Sequence, residues 1–295
     1  MEWLSTFPHL DDASLTALKK SIDEGFRSFT RAYGGGIEAF FQPLQFFLIQ
    51  CERIMTRTPW PIVILVIAGL AWLASRSIKL ALGCVVMLLL IGFFDMWDDT
   101  MKTISMIFVC TVIAIAIGLP LGIAMSRSDR LQNTVNPVLD VMQTMPSFVY
   151  LIPVVMLLGI GRVPGLIAVV IYAVPPMIRL TNLGIRLVDK DVLEAADAYG
   201  SSGWQRLFKV QLPLALPTIM AGINQTIMMA LAMVVIAAMI GVQGLGQPVL
   251  KAISNQYFTL GMFNGLAIVG IAIIFDRVSQ AYGRRLQRHM EVAHG

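Results

Sequence analysis

Asp191-Val192-Leu193-Glu194-Ala195-Ala196-Asp197-Ala198-Tyr199-Gly200, then Ser201-Ser202-Gly203-Trp204-Gln205-Arg206-Leu207-Phe208-Lys209-Val210-Gln211-Leu212-Pro213, is the polar stretch on which the reading of this chain turns. It belongs to the connection 181–213 between two apolar segments, and it is more organised than a simple connector requires. Asp191 followed by Glu194 has capping-box spacing, and Gly200 is a residue at home in the left-handed conformation, so a short helix is predicted from Val192 to Tyr199. Ser202 followed by Gln205 repeats the start signal. Pro213, which has no backbone N–H, is expected to end a second helix over Gly203 to Gln211. Ala195, Ala196 and Ala198 leave the first helix nearly bare, so another protein's surface can approach its backbone closely. A surface helix that simply favours alanine is the competing reading.

Working outward, the chain has 295 residues of which 57% are hydrophobic and 14% charged, with a mean hydropathy of +0.74. That leaves too little polar surface to cover a soluble globule. An all-α integral membrane protein follows, with about seven spans: Trp60 to Ala74, Ile78 to Phe94, Thr103 to Met125, Asp140 to Gly159, Val163 to Ile178, Leu214 to Ile240 and Gly261 to Phe275. Several are shorter than the roughly 20 residues a straight crossing needs, so tilt or local thinning must make up the difference. The first two are alternatively one helical hairpin that does not fully cross. Residues 1–59 read as two amphipathic helices parted at Gly34-Gly35-Gly36. The second sets Phe40, Phe41, Leu44, Phe47 and Leu48 against Glu38, Gln42 and Glu52, as a helix lying in the headgroup region or packing on the bundle would.

The formal net charge of +4 does not indicate nucleic acid, because the basic residues are scattered between apolar runs and act as topological anchors. Arg76, Lys79, Arg127, Arg130, Arg179, Arg186, Lys190, Arg206, Lys209, Arg277, Arg284, Arg285 and Arg288 fall on one side, against Lys102, Arg162 and Lys251 on the other. Short basic loops stay in the cytoplasm, which places the loop 181–213 and the C-terminus inside and the N-terminal tail outside. Lys19, Lys20, Arg27, Arg31, Arg53 and Arg57 in that tail are exceptions to the rule. Glu2, Asp11 and Asp12 precede any long apolar run, the wrong order for a cleavable signal peptide. Cysteines number three, with Cys84 and Cys110 inside apolar runs, which argues against a disulfide framework.

Glu194-Ala195-Ala196, Gly200 and Val210-Gln211-Leu212-Pro213 stand at the spacing of the EAA loop, the pattern EAA-x3-G-x9-I-x-LP, with Val210 in place of isoleucine. The chain therefore resembles the permease subunits of ATP-binding-cassette (ABC) importers. Gly118-Leu119-Pro120-Leu121-Gly122, the run Leu139 to Leu151, Pro175-Pro176-Met177-Ile178-Arg179-Leu180-Thr181 and Leu207 to Leu214 narrow the resemblance to the glycine betaine/proline betaine and choline permeases (ProW and ChoW types). It covers roughly residues 95–284 and implies the type I ABC importer permease fold. The organisation expected is an N-terminal extension 1–59, two membrane helices over 60–94, a permease core over 95–280 and a cytoplasmic tail 281–295. The resemblance implies that the loop is a coupling helix docking on a separate ATPase subunit, with Glu194, Ala195, Ala196, Gly200, Leu212 and Pro213 as the contact residues. It also implies a second copy of the chain, two ATP-binding subunits that hold ATP and magnesium, an extracytoplasmic binding protein, and a bacterial inner membrane location. No catalysis, resident cofactor or nucleic acid is implied for this chain.

The residues themselves agree with a non-enzymatic role. There is no G-x-x-x-x-G-K-[ST] phosphate loop, and the cluster Gly241-Val242-Gln243-Gly244-Leu245-Gly246 follows an apolar helix rather than a strand, as a turn would. His9, His289 and His294 lie near the termini without metal-ligand spacing. Pro146, Pro153, Pro164, Pro175 and Pro176 are expected to break the fourth and fifth spans, and interrupted helices at membrane depth line cavities or are buried in protein. Pathway or gate candidates are accordingly Pro146, Phe148, Tyr150, Pro153, Tyr172 and Pro175, the aromatic faces being suited to a quaternary ammonium, although packing is the commoner role of such residues. An ion-gradient-driven carrier is the rival reading. It predicts intramembrane acidic residues, and Asp140 alone falls within the apolar segments, at an edge.

Overall fold

A computed structural model describes residues 10–292, with side chains described as far as residue 285. His9, His289 and His294, and the first nine residues of the N-terminal extension, lie outside the described side chains. The elements are α1 (Asp12–Arg57), α2 (Trp60–Ser75), α3 (Ile78–Phe93), α4 (Trp97–Arg127), α5 (Asp129–Thr144), α6 (Leu151–Leu158), α7 (Arg162–Arg186), α8 (Lys190–Ala198), α9 (Gly203–Arg206), α10 (Leu212–Ala237), α11 (Gly246–Asn255) and α12 (Phe258–Val292). Six of the seven apolar segments fall, to within a residue, on one helix each, whereas the fourth, Asp140 to Gly159, is divided between the end of α5, a 3₁₀ turn and α6. Among the described residues, α4, α7, the run Gly203–Ile240 and α12 are each long and apolar enough to cross a membrane alone. Two bent pairs, α1 with α2 and α5 with Ser147–Leu158, bring the number to six, each pair turning by 110°. The 16-residue α3 is apolar but short.

α7 is the axis of the bundle, packed along α4 on one side and α10 on the other. Small residues let the backbones meet. A Cβ added at Gly118 would lie 2.8 Å from Met177, and one at Gly122 would lie 2.6 Å from Thr181 Cβ and 2.7 Å from the Ile178 carbonyl oxygen. Across the other face, Gly184 abuts Thr218 and Gly222 abuts Leu180. Met101, Ile107, Ala168, Val169, Ala230 and Met233, all fully buried, form the centre of the resulting core.

Proline does not interrupt α7 as expected. The helix runs unbroken from Arg162 to Arg186 through Pro175 and Pro176, both buried where α7 packs between α4 and α10. The physical cost is confined to the carbonyls of Ile171 and Tyr172, which lose the N–H four residues on. Of the five prolines expected to break the fourth and fifth spans, only Pro146 falls at a break, between α5 and the 3₁₀ turn Ser147–Tyr150. The glycine triplet is a second departure. α1 passes through Gly34, Gly35 and Gly36 as one helix of 46 residues, although glycine costs about 1 kcal/mol per position relative to alanine. Gly34 is buried, its missing Cβ position 3.5 Å from the Leu157 carbonyl, so close approach to the last turn of α6 compensates locally. Further on, Leu44, Leu48, Cys51 and Met55 recur at helical spacing against the core.

The two ends of the bundle differ in charge. At one, Arg186 donates to the Met125 carbonyl (2.9 Å) and pairs with Asp129 (2.6 Å), and Arg285 donates to the Leu73 carbonyl (2.7 Å). At the other, Arg162 bonds Glu52 of α1 and Gln243 beyond α10, each at 2.8 Å, and Leu245 N–H donates to Thr103 Oγ1 (2.9 Å). The glycine cluster 241–246 is the turn between α10 and α11, with Gly241 at φ +85°. α11, an amphipathic helix not anticipated from the sequence, packs on α12.

Candidate functional site

The organised loop begins with Asp189 rather than Asp191. Asp189 is the N-cap of α8, its carboxylate accepting the Asp191 N–H at 3.0 Å, so the Asp191–Glu194 capping box does not form and Glu194 stands free on the exposed surface. The helix starts two residues earlier because Asp189 has the extended backbone a cap requires, leaving Asp191 to favour the first turn electrostatically. Its end is as predicted. Ser201 N–H donates to the Ala196 carbonyl (3.1 Å) and Gly200 N–H to the Asp197 carbonyl (2.9 Å), with Gly200 at φ +77°, a Schellman stop. Ser202 and Gln205 then form the reciprocal capping box of α9.

Pro213 does not end that second helix. A π turn over Leu207–Gln211, in which Leu212 N–H reaches back to the Leu207 carbonyl, inserts an extra residue ahead of the proline, and the chain continues as one helix from Gly203 to Ile240. Pro213 sits in the first turn of α10, where a missing N–H is tolerated. The loop is thus rigidly joined to a membrane helix of the core.

Three side chains not singled out by the sequence hold it there. Leu207 is fully buried against Met177, Ile185, Ala215 and Ile219. Arg127, the last residue of α4, places its guanidinium 5.1 Å from the centre of the Trp204 ring and donates to the Gly203 carbonyl at 2.8 Å. Arg206 of α9 pairs with Asp197 of α8 at 2.5 Å, closing the corner between the two loop helices. The repeated arginines at this end read only as topological anchors. Their partners are more than 70 residues away in the case of Arg127 and Gly203, a distance at which no sequence pattern points. Outward, Leu187, Tyr199, Trp204 and Phe208 remain exposed beside Glu194 and Ala195. Ala196 and Leu212 are half-buried, and Pro213 is exposed.

Among the pathway candidates, the structure brings together Tyr150 and Tyr172, ring centres 5.8 Å apart and edge to face, with the Tyr150 hydroxyl donating to the Met142 carbonyl. Phe148, Pro146 and Pro153 are exposed on the outside of the broken span, while Pro175 is buried in α7. Asp140 is not an isolated acid, because it pairs with Arg179 of α7. Among the described residues no group of His, Cys, Asp and Glu side chains is arranged to hold a metal.

The family described as the binding-protein-dependent transport system inner membrane component matches residues 114–291, more than half of the chain. The chain belongs to that family. Its relatives include ProW of Escherichia coli K12, a glycine betaine/proline betaine transport system permease protein, 48% identical over 242 residues that cover 82% of this chain and 68% of the relative. GbuB of Listeria monocytogenes, a glycine betaine/carnitine transport permease protein, is 50% identical over 77% of this chain and 81% of its own. OpuAB of Bacillus subtilis, a glycine betaine transport system permease protein, is 43% identical over 88% and 92% respectively. Among solved structures, an inward-facing form of the MetNI methionine ABC transporter superposes with a TM-score of 0.58 at 20% identity, over 66% of the permease and 97% of that chain. The fold is that of the type I ABC importer permeases. The protein is an inner membrane transport permease.

Proposed function

We propose that the permease moves compact quaternary ammonium compounds, of the glycine betaine, proline betaine and choline class, inward across the bacterial inner membrane. It works as a pair of identical chains with two ATP-binding subunits, which hold the ATP and magnesium, and it receives substrate from an extracytoplasmic binding protein. The observation that carries this reading is the identity of 43–50% to permeases named for glycine betaine over 77–88% of the chain. Supporting it, α8 offers Glu194 and Ala195 beside an exposed apolar fringe of Tyr199 and Trp204, a surface on which an ATPase subunit can seat. Motion of that subunit reaches α10 through the continuous helix and α4 through Arg127.

Tyr150 and Tyr172, next to the carbonyls that Pro175 and Pro176 leave without N–H partners, are the groups proposed to meet the cation in transit. A cation–π contact contributes about 0.5–2 kcal/mol, enough to guide a substrate and too little to trap it. Pro146, Phe148 and Pro153 belong to the broken span that frames this region and are proposed as gate elements through the 110° bend rather than through substrate contact. No observation favours a gradient-driven carrier.

ATP-driven uptake of labelled glycine betaine into proteoliposomes holding the assembled transporter is expected to be inhibited by unlabelled choline or proline betaine and unaffected by amino acids or sugars. Inhibition by a sugar alone would overturn the substrate class. Orientation is tested separately. With Cys51, Cys84 and Cys110 replaced, a cysteine introduced at Arg206 is expected to resist a membrane-impermeant reagent in intact cells, whereas one at Lys251 reacts. The basis is the basic end that carries α8 and α9, and outward reaction at position 206 would invert the topology.

A further inference from the structure

Where α1 turns by 110° into α2, the corner borders an open cavity of about 580 Å³ lined by α2, α3 and the start of α4. Its polarity is graded. Arg57 stands at the mouth with Thr56 and Thr58, but the two hydroxyls are spent on the carbonyls of Glu52 (2.8 Å) and Ile54 (2.5 Å). Arg57 is therefore the charged donor there, and among the described residues it has no ion pair. Trp60 and Trp97 line the same cavity, the buried Ile64 and Leu88 make its deeper wall, and Leu89 lies on its exposed side. Leu88, 1% exposed, is also a wall of a second cavity of about 360 Å³ whose lining is entirely apolar, including Ile67, Leu70, Ile104 and Phe108. The corner lies at the same end of the bundle as Arg162 and Glu52, opposite the loop 181–213.

We propose that this corner is a binding site for a glycerophospholipid of the outer leaflet, its phosphodiester at Arg57, its glycerol region between the indoles and an acyl chain along Leu88. A guanidinium suits a phosphate as a charge-assisted donor, and paired Trp residues mark the depth of the headgroup boundary. The alternatives fit poorly. A quaternary ammonium would meet the like charge of Arg57, and a small inorganic anion would leave the aliphatic wall uncovered. The site depends on the chain being in a membrane and not on which solute it carries. Its effect is to pin the α1–α2 corner to the bilayer, so that α1, with Phe29, Tyr33, Phe40 and Phe47 exposed, is held at that surface.

The assembled transporter, stripped of lipid in detergent and then offered phosphatidylglycerol or phosphatidylethanolamine, is read by native mass spectrometry. One phospholipid retained per permease is expected with either headgroup, because both carry the phosphodiester. Arg57→Gln is expected to lower retention by roughly tenfold, the weight of a hydrogen bond to a charged group. Gly92→Leu is the second arm. A Cβ at Gly92 meets only Trp97, at an ordinary 3.6 Å, and the rest of the side chain enters the cavity, so retention is expected to fall without loss of the assembled complex. Retention unchanged in both variants, or diacylglycerol held as well as the phospholipids, overturns the proposal. Should the Arg57 variant fail to accumulate, the Gly92 variant decides alone. Transport of betaine is not the readout, so failure here leaves the transport reading standing.

Discussion

Gly200→Val is expected to reduce substrate-stimulated ATP hydrolysis and uptake by at least tenfold while the permease accumulates in the membrane at its normal level. Gly200 has φ +77°, a conformation that a β-branched residue strongly resists, and it carries the N–H that closes α8 on the Asp197 carbonyl. With valine the stop must unwind, and the angle between α8 and α9, held on the other side by Arg206 and Asp197, is lost. No spanning segment is touched, so insertion is unaffected. Glu194→Lys, which reverses the charge midway along the exposed face of α8, is expected to act in the same direction and more weakly, through the docking surface rather than through helix stability. Trp204→Ala removes the stacking partner of Arg127, a contact of about 0.5–1 kcal/mol at an exposed site, and is expected to give partial uncoupling. The measurement is ATPase activity of the reconstituted complex with and without loaded binding protein. If Gly200→Val transported at the unmodified rate, the role proposed for this loop would be withdrawn.

Gly122→Leu should have the opposite signature, loss of the folded permease itself. The added Cβ alone would stand 2.7 Å from the Ile178 carbonyl oxygen, a backbone atom of α7 that cannot rotate away, and 2.6 Å from Thr181 Cβ. α4 and α7 would have to separate along this seam of the core. Overpacking of this kind costs about 1–3 kcal/mol when a site can adjust, and this one is closed by the backbone carbonyl of Ile178. The detergent-solubilised permease is expected to lose its monodisperse elution and to melt well below the unmodified protein. Gly69→Leu is the matched control, since nothing lies within 4 Å of a Cβ at that position. Equal melting of the two variants would contradict the packing described for the α4–α7 seam.

Much of the candidate site was legible because its signals are local. The Ser202–Gln205 box and the Gly200 stop each involve groups within a few residues of one another, and both form as read. The misplaced α8 cap is an error of the same short range. Asp189 and Asp191 both have capping side chains, and the backbone conformation that chooses between them is not written in residue type. Pro213 shows a different limit. It was expected to end the second loop helix, and the helix instead continues, because the π turn that absorbs it is seated by Leu207, buried under the bundle against residues of α7 and α10.

The sequence by itself determined the membrane class, the position of the apolar segments, the charged and less charged ends, and the two-helix loop. These follow from partition between water and lipid and from hydrogen bonds closed within one helical turn, and neither needs a distant partner. Tertiary structure alone decided that α1 passes through Gly34-Gly35-Gly36, that α7 stays whole across Pro175 and Pro176, and that Arg127 clasps Trp204. It alone also paired Tyr150 with Tyr172 while leaving Phe148 on the outside. In the two helices a local preference of about 1–3 kcal/mol is overruled by packing against residues far along the chain. The helix breakers were visible as residues, but the neighbours that overrule them were not.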